Sequence, residues 1–389
     1  MIACLYGRTC AAFVEPVARE LCTAAEKLGG EIVPLTVERA LEKRARRPPE
    51  SSGVRRVYVL PFDVPARLPA EAPDTPAALV RWLFPEAEVV NSFDAHEICW
   101  DKPALAERWL QRGLPVPDGL LTSSIEEATA FVEQHEWAIL KASRSCGGHG
   151  HYVVTAAADG LVAEAHGQRY ELELVPSGAP QQIRDRQLRY PAPFYLQRLV
   201  NDVGVRNRMK PGQLLRAHLV EGQIVFWIEP YRPHYRCPSD WIVTPSLGAR
   251  YRFLFSVGEE ARKVAMRAAD VIGLRFGVID VVRTSNEGVY VLAAYSDGHH
   301  MMIDREFTHL PEFRDAFDFD HFIAEALLAE PAPLTRPSPS EPAAARVEIK
   351  GREGRFGPAA TPRKLGKPPQ GPRRRQPPDA VHGRRRRGR

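Results

Sequence analysis

The sequence lacks a closely spaced pair of cysteines. Its six cysteines (Cys4, Cys10, Cys22, Cys99, Cys146 and Cys237) are scattered through 389 residues. Without a C-x-x-C pair nothing suggests a zinc-finger type of metal site. Scattered thiols in a chain this long fit a reducing compartment rather than a disulfide scaffold. No apolar run approaches the roughly 18 residues of a membrane-spanning helix. The start, Met1-Ile2-Ala3-Cys4-Leu5-Tyr6, is only briefly apolar and has no positive n-region, so it reads as a first strand rather than a signal peptide. A cytoplasmic location is the expectation. There is no G-x-G-x-x-G in the first ninety residues, and so no sign of a dinucleotide site there.

Charge is present but unevenly placed. Residues 331–389 hold 16 Lys and Arg against 4 Asp and Glu, leaving 37 basic and 44 acidic residues in the remainder. The overall excess of +5 therefore hides an acidic body with a basic appendage. That appendage also holds 12 of the 35 prolines and few large apolar residues. Such a segment buries too little apolar surface to offset its ordering entropy, so 331–389 is expected to be a disordered tail. Its arginine runs, Arg373 to Arg375 and Arg384 to Arg387, suit nucleic acid or an acidic protein as well as simple solvation.

The body alternates strand and helix patterns. Strands are expected at Ile2–Tyr6, Glu31–Leu35, Val54–Leu60 and Glu88–Asn91, with helices at Ala11–Leu28 and Ala77–Phe84. The charged stretch Ala40–Pro49 ends in a proline pair and shows no clear element. This alternation indicates a small, mostly parallel α/β domain over residues 1–90. Beyond it come helices at Asp101–Arg112 and after Ser124, whose spacing to Glu127 is a capping-box signature. Further helices are expected at Glu259–Ile272 and Phe317–Ala329. Strands are expected at Ala138–Lys141, His151–Val154, Phe194–Val200, Leu214–Val220, Ile224–Ile228, Val278–Arg283 and Val289–Ala294. These define a second domain over 91–330.

The chemistry is concentrated between Asn91 and Gly150. Lys102 opens a helix after Trp100-Asp101. Gly113-Leu-Pro-Val-Pro117 closes that helix, Ile139-Leu140-Lys141 ends a strand, and Ser143-Arg-Ser-Cys-Gly-Gly-His-Gly150 follows. Two lysines on separate elements, with a glycine loop directly after the second, could grip a polyphosphate: glycines let backbone N–H groups close in, and ammonium groups neutralise charge. The order and spacing resemble the ATP-grasp superfamily, in particular its branch of glutathione synthetase and the glutamate ligases that modify ribosomal proteins. The likeness continues through Tyr195-Leu-Gln-Arg-Leu-Val200, through the hairpin Leu215–Val225 that carries Arg216, and through Ala268–Ala294. It covers roughly Asn91 to Gly298.

The resemblance implies a fold and roles. The fold would be α/β, more fully α+β: a small parallel α/β domain, then an ATP-grasp fold, then the tail. Lys102 and Lys141 would contact ATP phosphates, and Ser145, Gly147, Gly148 and Gly150 would form a lid over them. Gln197, Arg198 and Leu199 would line the adenine pocket. Arg216 would be catalytic, meeting an acyl-phosphate or substrate carboxylate, and Asp280 would bind Mg²⁺. The implied activity is ATP-dependent carboxylate–amine ligation on a small molecule or peptide.

The sequence also departs from the pattern. Where the family has Glu and Asn as further metal ligands, this chain has Ala293, which has no side-chain oxygen, and Tyr295, a poor donor when neutral. Asp297, Asp304 or Glu306 could substitute, and His299-His300 with Asp304 offers a weaker transition-metal alternative. Arg198 replaces the acid of the hinge strand, Leu214 or Leu215 the acid before Arg216, and Thr244-Pro-Ser-Leu-Gly248 an asparagine loop. A degenerate protein that binds nucleotide or peptide without ligating is therefore the competing expectation. Cys146 in the glycine loop reads as a redox-sensitive thiol or, more ordinarily, a small loop residue. The segment Tyr231–Trp241, which interleaves bases and aromatics, suits an anionic or planar ligand or, more ordinarily, is an exposed loop packed by its own aromatics.

Overall fold

The computed structural model describes residues 1–8, 11–46, 53–60, 62, 64–143, 150–203, 209–232, 234–235, 237–242, 249–254, 256–296 and 319–329. The tail, the interior of the glycine loop, Thr244–Gly248, Asp297, His299, His300, Asp304 and Glu306 lie outside this set. One compact unit runs from Met1 to Arg336.

The first strands and helices are β1 (Ile2–Tyr6), α1 (Ala11–Lys27), β2 (Ile32–Thr36), α2 (Val37–Arg46), β3 (Arg56–Val59), α3 (Pro76–Leu83) and β4 (Glu88–Val90). The strands form a parallel sheet in the order β2-β1-β3-β4. Helix α2 overlaps the charged stretch Ala40–Pro49, where the sequence shows no clear element. Its buried Val37, Ala40 and Leu41 stand at i, i+3, i+4, a narrow stripe that charge on the other positions masks in the sequence.

Asn91 ties this sheet to the C-terminal half of the chain. Its side-chain amide donates to the carbonyls of Phe276 (2.6 Å) and Ser296 (3.1 Å), and its Oδ1 accepts from the backbone of Arg275 (3.0 Å) and Phe276 (2.8 Å). Four bonds from one residue that is 1% exposed pin the end of β4 to two distant loops. Ser92 then caps an unexpected short helix, α4 (Phe93–Trp100), by accepting from Ala95.

Asp101 caps α5 (Lys102–Gln111), and Ser124 caps α6 (Ile125–His135) through the backbone N–H of Glu127, as the capping-box spacing implies. The central sheet takes in β5 (Gly119–Thr122), β6 (Ala138–Lys141), β7 (Tyr152–Ala157), β8 (Gly160–Ala165), β9 (Gln168–Val175), β10 (Gln182–Arg184), β11 (Gln187–Pro191) and β12 (Phe194–Arg198). Its order is β10-β11-β9-β8-β7-β6-β12-β5. After the small hairpin of β13 (Asn201–Val203) and β14 (Met209–Pro211) come β15 (Gln213–Val220), β16 (Gln223–Tyr231), β17 (Arg250–Leu254), α7 (Glu259–Ile272), β18 (Gly277–Thr284), β19 (Gly288–Tyr295) and α8 (Phe319–Leu328). The last sheet is antiparallel, in the order β17-β16-β15-β18-β19.

Helix α7 ends at Gly273 with φ of 66°, the left-handed C-cap that glycine takes without strain. Gly277 opens β18 at φ of 142°, packed so closely on the carbonyl of Tyr295 that no Cβ fits. One apolar core joins Cys4 and Leu21 of the first sheet layer to Phe226, Phe276 and Ile323. Another packs Trp109 of α5 and the alanine face of α7 on Leu215, Ile279 and Val291. Among the described residues no helix is long and apolar enough to cross a membrane.

Candidate functional site

The central and antiparallel sheets meet at a cavity of about 650 Å³. Ile139 and Lys141 of β6, Gln197 to Val200 around the end of β12, and Leu214, Val282 and Leu292 from the antiparallel sheet line it. In the β6–β12 ladder Ile139 faces Gln197 and Lys141 faces Tyr195, so Lys141 and Gln197 are diagonal neighbours on one face. The Lys141 ammonium, on a residue only 9% exposed, donates to Oε1 of Gln197. Burial lowers its pKa from 10.5 to about 7, with the positive charge of Lys102 adding to the fall and Asp280 opposing it. Its charge is disfavoured there, and a nearby anion would favour it.

Lys102 sits at the first turn of α5, and its backbone N–H donates to the carbonyl of Ser143 at 3.1 Å. The bond ties the helix start to the entrance of the glycine loop. Gly150, at the loop's far end, has φ of 70°, a left-handed conformation suited to glycine. Ser145, Gly147, Gly148 and Cys146 lie outside the described residues.

A second polar row crosses the antiparallel sheet. Arg216 of β15 stands opposite Asp280 of β18, which stands opposite Ala293 of β19. Arg216 donates from Nε to Oδ1 of Asp280 at 2.8 Å and from Nη2 to Oδ2 at 3.0 Å. This is a bidentate pair, with Arg216 at 8% and Asp280 at 5% exposure. Burial opposes the guanidinium charge, but Asp280 outweighs it and the pKa of Arg216 is pushed up. The ring of Tyr295 lies 5.6 Å from that guanidinium. Leu214 and Val282, two positions along β15 and β18, face the cavity, so strand alternation puts the pair on the same face, beside it.

The expected residues thus fall into two groups. Lys141, Gln197, Arg198 and Leu199 share the cavity wall; Lys102 and Asp280 reach it electrostatically through Lys141. Arg216 and Asp280 bind one another. Arg198, half-buried, turns to Glu287 (2.9 Å) and Asp118 (3.4 Å), with the Tyr290 ring 5.3 Å away. The backbone N–H of Leu199 donates to the carbonyl of Trp137 at 3.1 Å.

Among the described residues the donor set does not fit Mg²⁺; Asp297, Asp304 and Glu306 lie outside them. Both Asp280 oxygens are engaged by Arg216, Ala293 offers none, and Tyr295 stacks toward the guanidinium. Among the described residues no cluster of three or more His, Cys, Asp and Glu could hold a metal ion.

Other wall residues were not singled out in the sequence. Gln213, held by Arg283 (Nε to Oε1, 3.1 Å), Glu229 and Leu292 all contribute. The segment Tyr231–Trp241 differs from the expected exposed loop packed on itself. Tyr235 and Trp241 line the cavity, Trp241 packs on Trp137 with ring centroids 5.7 Å apart, and the backbone N–H of Ser239 donates to Glu164 at 2.8 Å. The available signal was its density of aromatics.

No family model matches the chain. A tetrahydromethanopterin:alpha-L-glutamate ligase of Methanocaldococcus jannaschii is 28% identical over 184 residues, which is 47% of this chain and 53% of the relative. The chain thus spans about half the length of the curated relative it matches. The ATP-grasp ligase PsnB, solved with a minimal precursor, superposes with a TM-score of 0.50 at 17% identity, covering 84% of this chain and 98% of PsnB. The macrocyclase MdnC of Microcystis aeruginosa MRC, bound with precursor peptide MdnA, gives 0.50 at 14% identity over 84% and 99%. PsnB has also been solved with minimal precursor, Mg and ADP, again at a TM-score of 0.50. With the sheets that bring Lys141 and the Gln197–Val200 strand end to one cavity, these likenesses fix the fold. The chain has the fold of the ATP-grasp ligases, and over 184 residues its sequence is similar to a glutamate ligase.

Proposed function

We propose that the chain binds ATP in this cavity and uses it to join a carboxylate to an amine, with a peptide as one partner. The observation that carries the reading is the buried Lys141 on the wall of a cavity of about 650 Å³, beside the Gln197–Val200 strand end. Ligand pockets run from about 300 to 1,000 Å³, so the space suits a nucleotide. Lys102 and Lys141 meet the phosphates, and the loop of Ser145, Gly147, Gly148 and Gly150 covers them. Gln197, Arg198 and Leu199 lie along the base, and Arg216 adjoins the transferred phosphoryl group.

In this reading a carboxylate oxygen attacks the γ-phosphorus and ADP leaves, giving an acyl phosphate. The amine then attacks the acyl carbon, phosphate departs with the bonding pair, and the nitrogen loses a proton. Two supports for a peptide partner come from relatives: PsnB and MdnC were each solved with precursor peptides. Magnesium, expected from the family, does not fit the described residues, and no step above runs through it.

A second reading is favoured by the Arg216–Asp280 pair, which spends the expected metal ligand on an internal contact. There the protein binds nucleotide and peptide without ligating them. The two part on one experiment. The full chain is incubated with ATP and a pool of short peptides, and ADP and new amide products are measured by mass spectrometry. Ligation yields both, and Lys141→Met abolishes both. ATP binding without either product sinks the ligase reading and leaves the second.

A further inference from the structure

We infer that side-chain cations meet the nucleotide's phosphates here, with no divalent ion required at Asp280. The inference rests on the ATP-binding reading above and deepens it.

Its ground is the row Arg216–Asp280–Ala293 across β15, β18 and β19. Mg²⁺ demands near-octahedral oxygen coordination at about 2.0–2.1 Å and gives up its waters reluctantly. Asp280 meets that demand poorly by itself, because each of its oxygens already gives a lone pair to a charge-assisted hydrogen bond, at 2.8 and 3.0 Å, and the Arg216 charge opposes a second cation. The position directly across from Asp280 is an alanine, so that cross-strand neighbour adds no side-chain oxygen. Tyr295 takes the guanidinium against its ring rather than presenting a carboxylate or amide. The pair is thus an internal substitute: a fixed cation bonded to the carboxylate where a mobile one is expected. Beside it stand Lys141 on the cavity wall and Lys102 at the start of α5. In the ATP reading Lys141, with Lys102 in electrostatic reach of it, lies on the phosphate side, while Gln197 to Val200 lie toward the base.

The test is calorimetric titration of ATP into the full chain, once in excess EDTA and once in excess MgCl₂. The expected dissociation constants agree within about threefold. A loss of more than about tenfold in EDTA overturns the inference while leaving ATP binding intact; it would mean that residues such as Asp297, Asp304 or Glu306 complete a metal site. No binding in either condition overturns both this inference and the reading beneath it. Asp280→Asn supplies an independent check. As the partner of Arg216, Asp280 changes ATP affinity by the same factor with and without Mg²⁺ when substituted. A drop confined to the Mg²⁺ titration would identify a metal ligand and overturn the inference. Should Asp280→Asn fail to fold, the EDTA comparison on the unaltered chain decides alone.

Discussion

Two buried cations in this molecule are treated in opposite ways. Lys141, on the central sheet, is buried against a neutral amide and near a second lysine, and its pKa falls to about 7. Arg216, on the antiparallel sheet, is buried against a carboxylate that meets it with two oxygens, and its pKa is pushed up. The first is hydrogen-bonded to an amide rather than a carboxylate, and in the proposed reading the nucleotide supplies the missing negative charge. The second is neutral as a pair and asks for nothing. A ligand site is therefore better marked by a charge whose environment disfavours it than by the number of charged residues in a cleft.

The largest expected effect breaks the satisfied side. Arg216→Ala leaves Asp280 buried without its guanidinium, which costs on the order of 3–5 kcal/mol of folding stability. Replacing both residues together, as in Arg216→Met with Asp280→Leu, returns most of that loss, because no buried charge is left alone. Urea denaturation of the single and double variants reads the difference. A single variant as stable as the parent would show that water reaches the pair and that the contrast with Lys141 is false.

Lys141→Met works in the opposite direction. It removes a charge that burial disfavours, so stability at pH 7 rises by about 1 kcal/mol even after the Gln197 oxygen loses its donor. ATP affinity falls by on the order of a hundredfold, the loss expected for a charge-assisted contact of about 3 kcal/mol. The pH dependence sharpens this. Lys141 has a folded pKa of about 7 against an ordinary 10.5, so between these values the unfolded chain holds a proton that the folded chain lacks. Unfolding free energy from this group therefore rises with pH above 7, by up to about 1.4 kcal/mol per unit, and the contribution is lost as pH falls through 7. From pH 7 to 8.5 the parent should gain stability relative to Lys141→Met, and its ATP affinity should fall as binding must recruit a proton. Calorimetry in buffers of different ionisation enthalpy measures that uptake. Equal pH profiles for parent and variant would show Lys141 to be charged throughout.

Legibility in the sequence divides along the same line. Strong periodicity and caps made most of the elements legible: Ser124 with Glu127, the alanine-lined α7, and the strands ending at Lys141 and Arg198 stand close to where the pattern puts them. Lys141, Gln197, Arg198 and Leu199 converge on one cavity because the order of motifs along the chain carries sheet topology with it. The Arg216–Asp280 bond was not legible. It depends on register between strands 64 residues apart, and each residue alone reads as a ligand-facing charge. Helices α2 and α4 escaped because three or four buried apolar residues in so short a segment are too weak a signal. Trp241 escaped as a wall residue because only packing on Trp137 turns that loop inward.

The smallest expected effect concerns the hinge, where charge is present but decides little. Arg198 pairs with Glu287 at 2.9 Å, and the two side chains keep 19% and 33% of their surface exposed. A pair this wet contributes about 0–1 kcal/mol and weakens in salt. The strand end is fixed independently, since the Arg198 backbone N–H donates to the Asp118 carbonyl at 2.8 Å. Glu287→Ala should therefore change stability by less than about 1 kcal/mol and ATP affinity by less than about threefold. Both effects should shrink further in high salt. A tenfold loss of ATP affinity would instead place the Arg198 side chain in recognition of the base. The hinge would then join Lys141 among the groups that the ligand completes.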